Sequence, residues 1–160
     1  MHWDDETITD VARTYRTNYA LGQGDRQARA EAAERHFWAW ETVDRAVRDG
    51  MLPIEVIDAM LHDPSGDDGF RSYVAAGPIE DMLRTQPERY TDEVAARCRV
   101  DAVWAETVGG VWLDRRTWEV LPEPLRELIV EPRLPAQAER TRVRVGRRPS
   151  KRQSRRGRGH

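Results

Sequence analysis

The 160-residue sequence is poor in cysteine and in long apolar runs. Cys98 is the only cysteine, which excludes an intramolecular disulfide and any CxxC-type zinc or redox site. No apolar run approaches the ~20 residues that a membrane span needs. The first six residues, Met1 to Glu6, are acidic where a secretory leader would be basic. These absences predict a cytoplasmic protein with no membrane partner.

Acidic residues are absent after Glu139, which divides the chain into two parts of opposite charge. Residues 140–160 carry nine arginines and Lys151, ten cations in all. Residues 1–139 carry 28 acidic and 16 basic side chains, a net charge of −12. The total charge of −2 therefore conceals an acidic body and a basic tail.

The same region also lacks the residues that build a core. From Gly146 onward the chain contains arginine, serine, glycine and proline but no large apolar side chain, so burial cannot offset the entropy of ordering it. We predict one helical domain over residues 1–138 and a disordered, basic, low-complexity tail over residues 139–160.

Apolar side chains recur at helical spacing through the first half of the body. They predict a first helix over residues 6–21 and a longer second helix over residues 25–49. Asp25 is a suitable N-cap for the second helix, and Gly50 is suited to the position just after its end. A third helix is predicted over residues 54–61.

The second half of the body is also helical in pattern. A helix capped by Thr91 is predicted over residues 92–108, followed by one or two short helices between Trp118 and Val130. A brief extended piece over residues 111–113 is compatible with the pattern. We expect an all-α fold, an irregular bundle of five to seven helices with a disordered basic C-terminal tail.

Four residues mark a tight corner between two predicted helices. Gly77 and Pro78 are suited to closing one helix and opening the next. Glu80 and Asp81 follow, and adjacent carboxylates at a fixed corner could bind a cation or transfer protons. The simpler interpretation is that Glu80 accepts N–H groups of the first helical turn. The segment is therefore either a structural corner or a possible site.

This corner lies within a stretch that resembles a known family. Residues Ala75–Leu83 (AAGPIEDML), Ala95-Ala96 and Val108–Leu113 (VGGVWL) resemble an uncharacterised family of small bacterial domains. That family has a small-Gly-Pro-Leu-Glu-Asp-Leu-Leu core, an alanine-rich helix and a Gly-Val-Trp motif; here isoleucine and methionine replace two of the leucines. The resemblance covers about residues 37–129. It implies a helical domain and no known activity.

The remaining chemically active side chains do not form a recognisable catalytic or metal-binding pattern. Cys98 shares a helical stripe with apolar residues, which is typical of a core thiol. His36 has no serine or cysteine at a recognisable spacing. We therefore predict no catalytic residue, no metal and no cofactor. Enzymatic activity stays undecided, with the balance against it; an enzyme here would use Glu80, Asp81 or His36 in a cleft.

Tryptophan is abundant, with six residues in the chain. Stacking on nucleic-acid bases is one possible use of such side chains, but filling the helical core is the favoured interpretation. This interpretation applies to Trp38, Trp40, Trp104, Trp112 and Trp118.

The basic tail is the feature that points to a partner. Its cations are interleaved with glycine, serine and proline, so they can follow a phosphate backbone without a fixed fold. The alternative is a solubilising tail that folds back on the acidic body. The candidate nucleic-acid-binding residues are Arg147, Arg148, Lys151, Arg152, Arg155, Arg156 and Arg158.

Two functions are compatible with this charge pattern. The first is a non-enzymatic interaction module whose arginine-rich tail contacts RNA or DNA electrostatically. The alternative is an immunity-like or inhibitory protein whose acidic helical body binds a basic protein partner. The sequence leaves the oligomeric state and the identity of any partner open.

Overall fold

The computed structural model describes residues 2–132, and the regular structure in this range is entirely helical. The all-α prediction is confirmed. The predicted tail, residues 139–160, lies outside the described residues. The helical segments are α1 Asp5–Gly22, α2 Arg26–Glu31, the π-helical segment π1 Ala32–His36, α3 Phe37–Arg48, α4 Ile54–Leu61, α5 Asp68–Val74, the π-helical segment π2 Ala75–Ile79, α6 Glu80–Thr85, α7 Pro87–Val100, α8 Ala102–Gly109, α9 Arg115–Val120 and α10 Glu123–Leu128.

The N-terminal helices follow the sequence pattern closely. Helices α2, π1 and α3 are continuous and form the long second helix that the sequence predicts. Its N-cap is Asp25, whose carboxylate accepts the N–H of Ala28 at 2.9 Å. Gly50 follows its end with φ of +67°, a left-handed conformation that glycine adopts without steric cost.

The helix predicted over residues 92–108 is instead two helices, so this boundary is corrected. Asp101 has an extended backbone and separates α7 from α8. Its carboxylate accepts the N–H of Val103 at 2.9 Å and caps α8. The predicted cap Thr91 lies inside α7, which begins at Pro87. When adjoining helical segments are counted as one helix, residues 2–132 contain eight helices. This is one more than the upper end of the predicted range of five to seven.

The helices share one core. Helix α1 packs against α3, α4 and π1; α6 packs against α3 and α7, and α8 packs against α7 and α10. The core that these helices bury among residues 2–132 includes side chains from most of them. The largest fully buried side chains are Trp104, Tyr15, Tyr90, Phe70, Leu52 and Ile57.

The tryptophans divide between the core and the surface. Trp104 is fully buried, and Trp40 and Trp118 pack against the core from partly buried positions. Trp38 and Trp112 are exposed, so core filling was the wrong interpretation for these two. Trp112 is 83% exposed because it lies between two inward-facing residues in an irregular segment after α8.

Membrane insertion has no candidate segment in the described part of the chain. Between residues 2 and 132, none of the helices combines the length and the apolar composition required to cross a bilayer.

Candidate functional site

The corner at Gly77 and Pro78 lies where the sequence places it. Helices α5, π2 and α6 follow one another, with a kink at Gly77, whose dihedral angles are not helical (φ −111°, ψ −105°). Pro78 contributes to the kink because it lacks the N–H that a continuous helix would use. A Cβ atom added to Gly77 would lie 3.3 Å from the hydroxyl oxygen of Tyr15. The corner therefore faces helix α1 at close range.

A cleft of about 280 Å³ opens beside this corner. Five elements contribute to its walls: α1, α3, α5, π2 and α6. Of the four corner residues, Gly77, Pro78 and Asp81 line the cleft, whereas Glu80 does not. The other polar and aromatic lining side chains are Tyr15, Trp40, Asp44 and Tyr73.

Two carboxylates face the cleft, each paired with an arginine of its own helix. Asp44 on α3 pairs with Arg48, and Asp81 on α6 pairs with Arg84. The hydrogen bond to Asp44 is the main cause of the raised pKa of Arg48, and the charges of Asp44 and Asp81 add to it. The Arg48 guanidinium thus pairs with Asp44 and is also stabilised in its charged form by Asp81.

Two tyrosines form the inner part of the cleft. Tyr15 is buried, and burial is the main cause of its raised pKa; a hydrogen bond to Tyr73 and the charges of Asp81 and Asp44 raise it further. Burial also raises the pKa of Tyr73, although hydrogen bonds from Tyr15 and Trp40 oppose this shift. The polar groups of Tyr15 and Trp40 therefore partly offset the effect of burial on the pKa of Tyr73.

Glu80 lies outside the cleft and does not act as the predicted cap. It is the first residue of α6, and no side chain caps this helix. Its carboxylate lies 3.7 Å from the Arg84 guanidinium. Burial is the main cause of its raised pKa, opposed by Arg84 and by a hydrogen bond from the Trp112 backbone. Glu80 thus lies beside the segment that carries the exposed Trp112.

The other titratable candidates are not gathered at the cleft. His36 is half-buried on π1 and is not among the lining residues. Cys98 is half-buried against the core, and burial raises the pKa of its thiol to about 11, so little thiolate exists at neutral pH. Within residues 2–132, His, Cys, Asp and Glu side chains form no group of three or more that could hold a metal ion.

The cleft was only partly predictable. The sequence predicts its corner but not Tyr15, Trp40, Asp44 or Tyr73, since these come from three other elements. The available signal was the presence of aromatic and acidic residues at the edges of the apolar stripes of α1 and α3.

The nucleic-acid candidates between Arg147 and Arg158 lie outside the described residues.

The domain is all-α over residues 2–132, and residues 1–139 are acidic, with a net charge of −12. A family model described as "Family of unknown function (DUF6869)" matches residues 26–122, and the chain belongs to this family. The match confirms the resemblance drawn from the motif around Gly77 and extends it towards the N-terminus. It includes every polar lining residue of the cleft except Tyr15. Neither the curated proteins nor the solved structures include a match to this chain.

Proposed function

We propose that this protein is a non-enzymatic interaction module whose basic tail, residues 139–160, contacts RNA or DNA electrostatically. The observation that carries the proposal is the division of charge: ten cations and no acidic residue in residues 140–160, against −12 in residues 1–139. Clustered cations of this kind neutralise phosphates and release counterions, which gives affinity without base-specific contacts. The body contributes the folded domain, and the proposal assigns the protein to the cytoplasm.

The proposal also rests on how the body buries its core. A chain that ends at residue 139 retains every residue of the core described above. Removal of the tail therefore removes none of the packing contacts described for residues 2–132. This separation makes the contribution of the tail measurable.

A binding assay on two chains tests the proposal. Labelled single-stranded RNA and duplex DNA are titrated with the full chain and with residues 1–139, at low and at near-physiological salt. We expect the full chain to bind both nucleic acids at low salt and to weaken steeply as salt rises. We expect residues 1–139 to bind neither. Equal binding by both chains, or binding by the full chain that does not change with salt, would contradict the proposal.

A second function is favoured by the exposure of Trp112. Large aromatic side chains are frequent anchors of protein interfaces, and Trp112 is 83% exposed within the region that matches the family. Together with the negative charge of the body, this side chain supports an immunity-like or inhibitory role, in which the body binds a basic protein.

Matched surface variants test this second function. A basic protein that copurifies with the full chain should remain bound after deletion of residues 140–160 and should be lost from Trp112→Ala. Val100→Ala is the control, because Val100 is equally exposed, at 84%, at the end of α7. Binding that needs the tail, or that is indifferent to Trp112→Ala, would count against this function.

A further inference from the structure

The cleft at the Gly77 corner offers a ligand two negatively charged hydrogen-bond acceptors. Asp44 and Asp81 contribute carboxylate oxygens to its walls. The lining also includes Tyr15, Tyr73 and Trp40, whose hydroxyl and indole groups can donate hydrogen bonds. A ligand that pairs with both carboxylates must be a hydrogen-bond donor, and preferably a cation.

The aromatic rings favour the same class of ligand. Trp40 and Tyr73 line the cleft together with Tyr15, whose ring centroid lies 5.7 Å from that of Tyr73. The faces of tryptophan and tyrosine rings carry negative electrostatic potential and attract cations. Among biological cations, a guanidinium combines a planar face for such rings with a fork of N–H donors that matches carboxylates.

Each carboxylate of the cleft already binds one guanidinium group, that of Arg48 or of Arg84. Arg48 hydrogen-bonds to Asp44 and is also influenced by the charge of Asp81. The side chains of Arg48 and Arg84 are 64% and 51% exposed, so both ion pairs are in contact with solvent. Exposed pairs of this kind contribute little to stability, and an incoming guanidinium can exchange with either arginine at small cost.

The volume of the cleft limits the size of the ligand. At about 280 Å³, it lies just below the ~300–1,000 Å³ of pockets that hold drug-sized molecules. A guanidinium with its alkyl chain is small enough for this space.

We propose that the cleft formed by Tyr15, Trp40, Asp44, Tyr73, Gly77 and Asp81 is a binding site for a guanidinium group. The group belongs either to a small guanidino compound or to an arginine side chain. The site does not depend on contact between residues 139–160 and nucleic acid, so it can exist whether or not that function holds.

The experiment uses the full chain, labelled with nitrogen-15, and two probes that differ in charge. The first probe is Nα-acetylarginine methylamide, and the second is the corresponding citrulline derivative, in which a neutral urea replaces the guanidinium. Titration with the arginine probe should shift the NMR signals of the Gly77 amide and the Trp40 indole N–H. The citrulline probe should leave them unchanged.

Four variants connect the shifts to the cleft. Asp44→Asn and Asp81→Asn should each weaken binding of the arginine probe about tenfold or more, because each removes a charged acceptor. Asp68→Asn, which alters a fully exposed carboxylate on α5 outside the cleft, should not. Arg48→Gln should strengthen binding because it frees the Asp44 carboxylate. A dispersed amide spectrum verifies that each variant is folded.

Methylguanidinium and a short peptide with one central arginine distinguish the two sources of the group. Binding of both indicates a small guanidino compound as a sufficient ligand, and binding of the peptide alone indicates a protein segment. The proposal is overturned if neither the arginine probe nor methylguanidinium nor the peptide shifts the cleft signals. It is equally overturned if citrulline shifts them as strongly as arginine, or if Asp44→Asn and Asp81→Asn bind as well as Asp68→Asn.

Discussion

The indole N–H of Trp104 donates a 2.6 Å hydrogen bond to the Asp58 carboxylate, between residues 46 positions apart. The other oxygen of Asp58 lies 2.8 Å from the Arg97 guanidinium. Nearby, His62 on the C-terminal side of α4 lies 2.9 Å from Asp101, the residue that separates α7 from α8. Polar contacts thus join α4 to α7 and α8 around the largest buried side chain.

Replacing Asp58 tests how much this cluster stabilises the fold. Asp58→Ala leaves the N–H of the buried Trp104 without its acceptor, which should lower the free energy of unfolding by about 1–3 kcal/mol. Urea denaturation at pH 7, followed by far-UV circular dichroism, measures the change. Asp68→Ala, which removes a fully exposed carboxylate, should have a much smaller effect. Similar losses in both variants would show that the hydrogen bond between Trp104 and Asp58 stabilises the protein no more than an exposed carboxylate does.

Gly50 and Gly22 provide a matched pair for backbone conformation. Gly50→Ala should destabilise the protein by about 1–2 kcal/mol, because φ of +67° is unfavourable for a residue with a Cβ atom. Gly22→Ala, at the end of α1, should be neutral or stabilising, because a Cβ there meets no atom within 4 Å. The midpoint of thermal unfolding should therefore fall in Gly50→Ala and stay unchanged or rise in Gly22→Ala. Equal midpoints for the two variants would refute the assigned role of Gly50.

The raised pKa of Tyr15, the buried tyrosine of the cleft, predicts that the protein becomes less stable at high pH. The pKa of Tyr15 is raised by burial, so the unfolded chain releases this proton near pH 10 while the folded chain retains it. The free energy of unfolding should then fall as pH rises above 10, by up to about 1.4 kcal/mol per pH unit for this group. Tyr73, Tyr90 and Cys98, whose pKa values are also raised, add to the fall.

Tyr15→Phe isolates the contribution of one proton. Urea titrations between pH 9 and pH 11.5 give the slope of the free energy of unfolding against pH. This slope should be less steep in the variant than in the unaltered chain, by up to the ~1.4 kcal/mol per pH unit that corresponds to one proton. Tyr90 and Cys98 are present in both chains and cancel in the difference. Tyr73 loses a neighbour that lowers its pKa, so its pKa rises in the variant and offsets part of the change. Identical slopes would mean that Tyr15 ionises at an ordinary pH in the folded protein.

The first half of the fold could be predicted from sequence because local signals define it. The cap at Asp25 and the glycine at position 50 bound the long second helix at both ends. The break at Asp101 was missed because the apolar stripe of Cys98, Ala102 and Ala105 continues at helical spacing across it. Periodicity detects which face of a helix is apolar, and it does not detect an internal cap.

Only the part of the site that depends on residues adjacent in the sequence could be predicted. Gly77 and Pro78 indicate a corner by their own conformational preferences, and the kink lies there. Asp44 and Tyr15 come to the same cleft through tertiary packing of α1, α3 and α6, which no local pattern encodes. The exposure of Trp112 is similar: composition favours burial of tryptophan, whereas the direction of its side chain depends on the segment between α8 and α9.

The most direct test of the tail as a nucleic-acid contact is the dependence of duplex DNA affinity on salt in three full-length chains. These are the unaltered chain, a tail variant with Arg155, Arg156 and Arg158 changed to glutamine, and a control with the exposed body residues Arg26, Arg99 and Arg116 changed to glutamine. The tail variant should reduce the slope of log K against log salt by up to about 0.9 for each lost phosphate contact, and the control should keep the original slope. An unchanged slope in the tail variant, or an equal reduction in both variants, would contradict the proposed role of the tail.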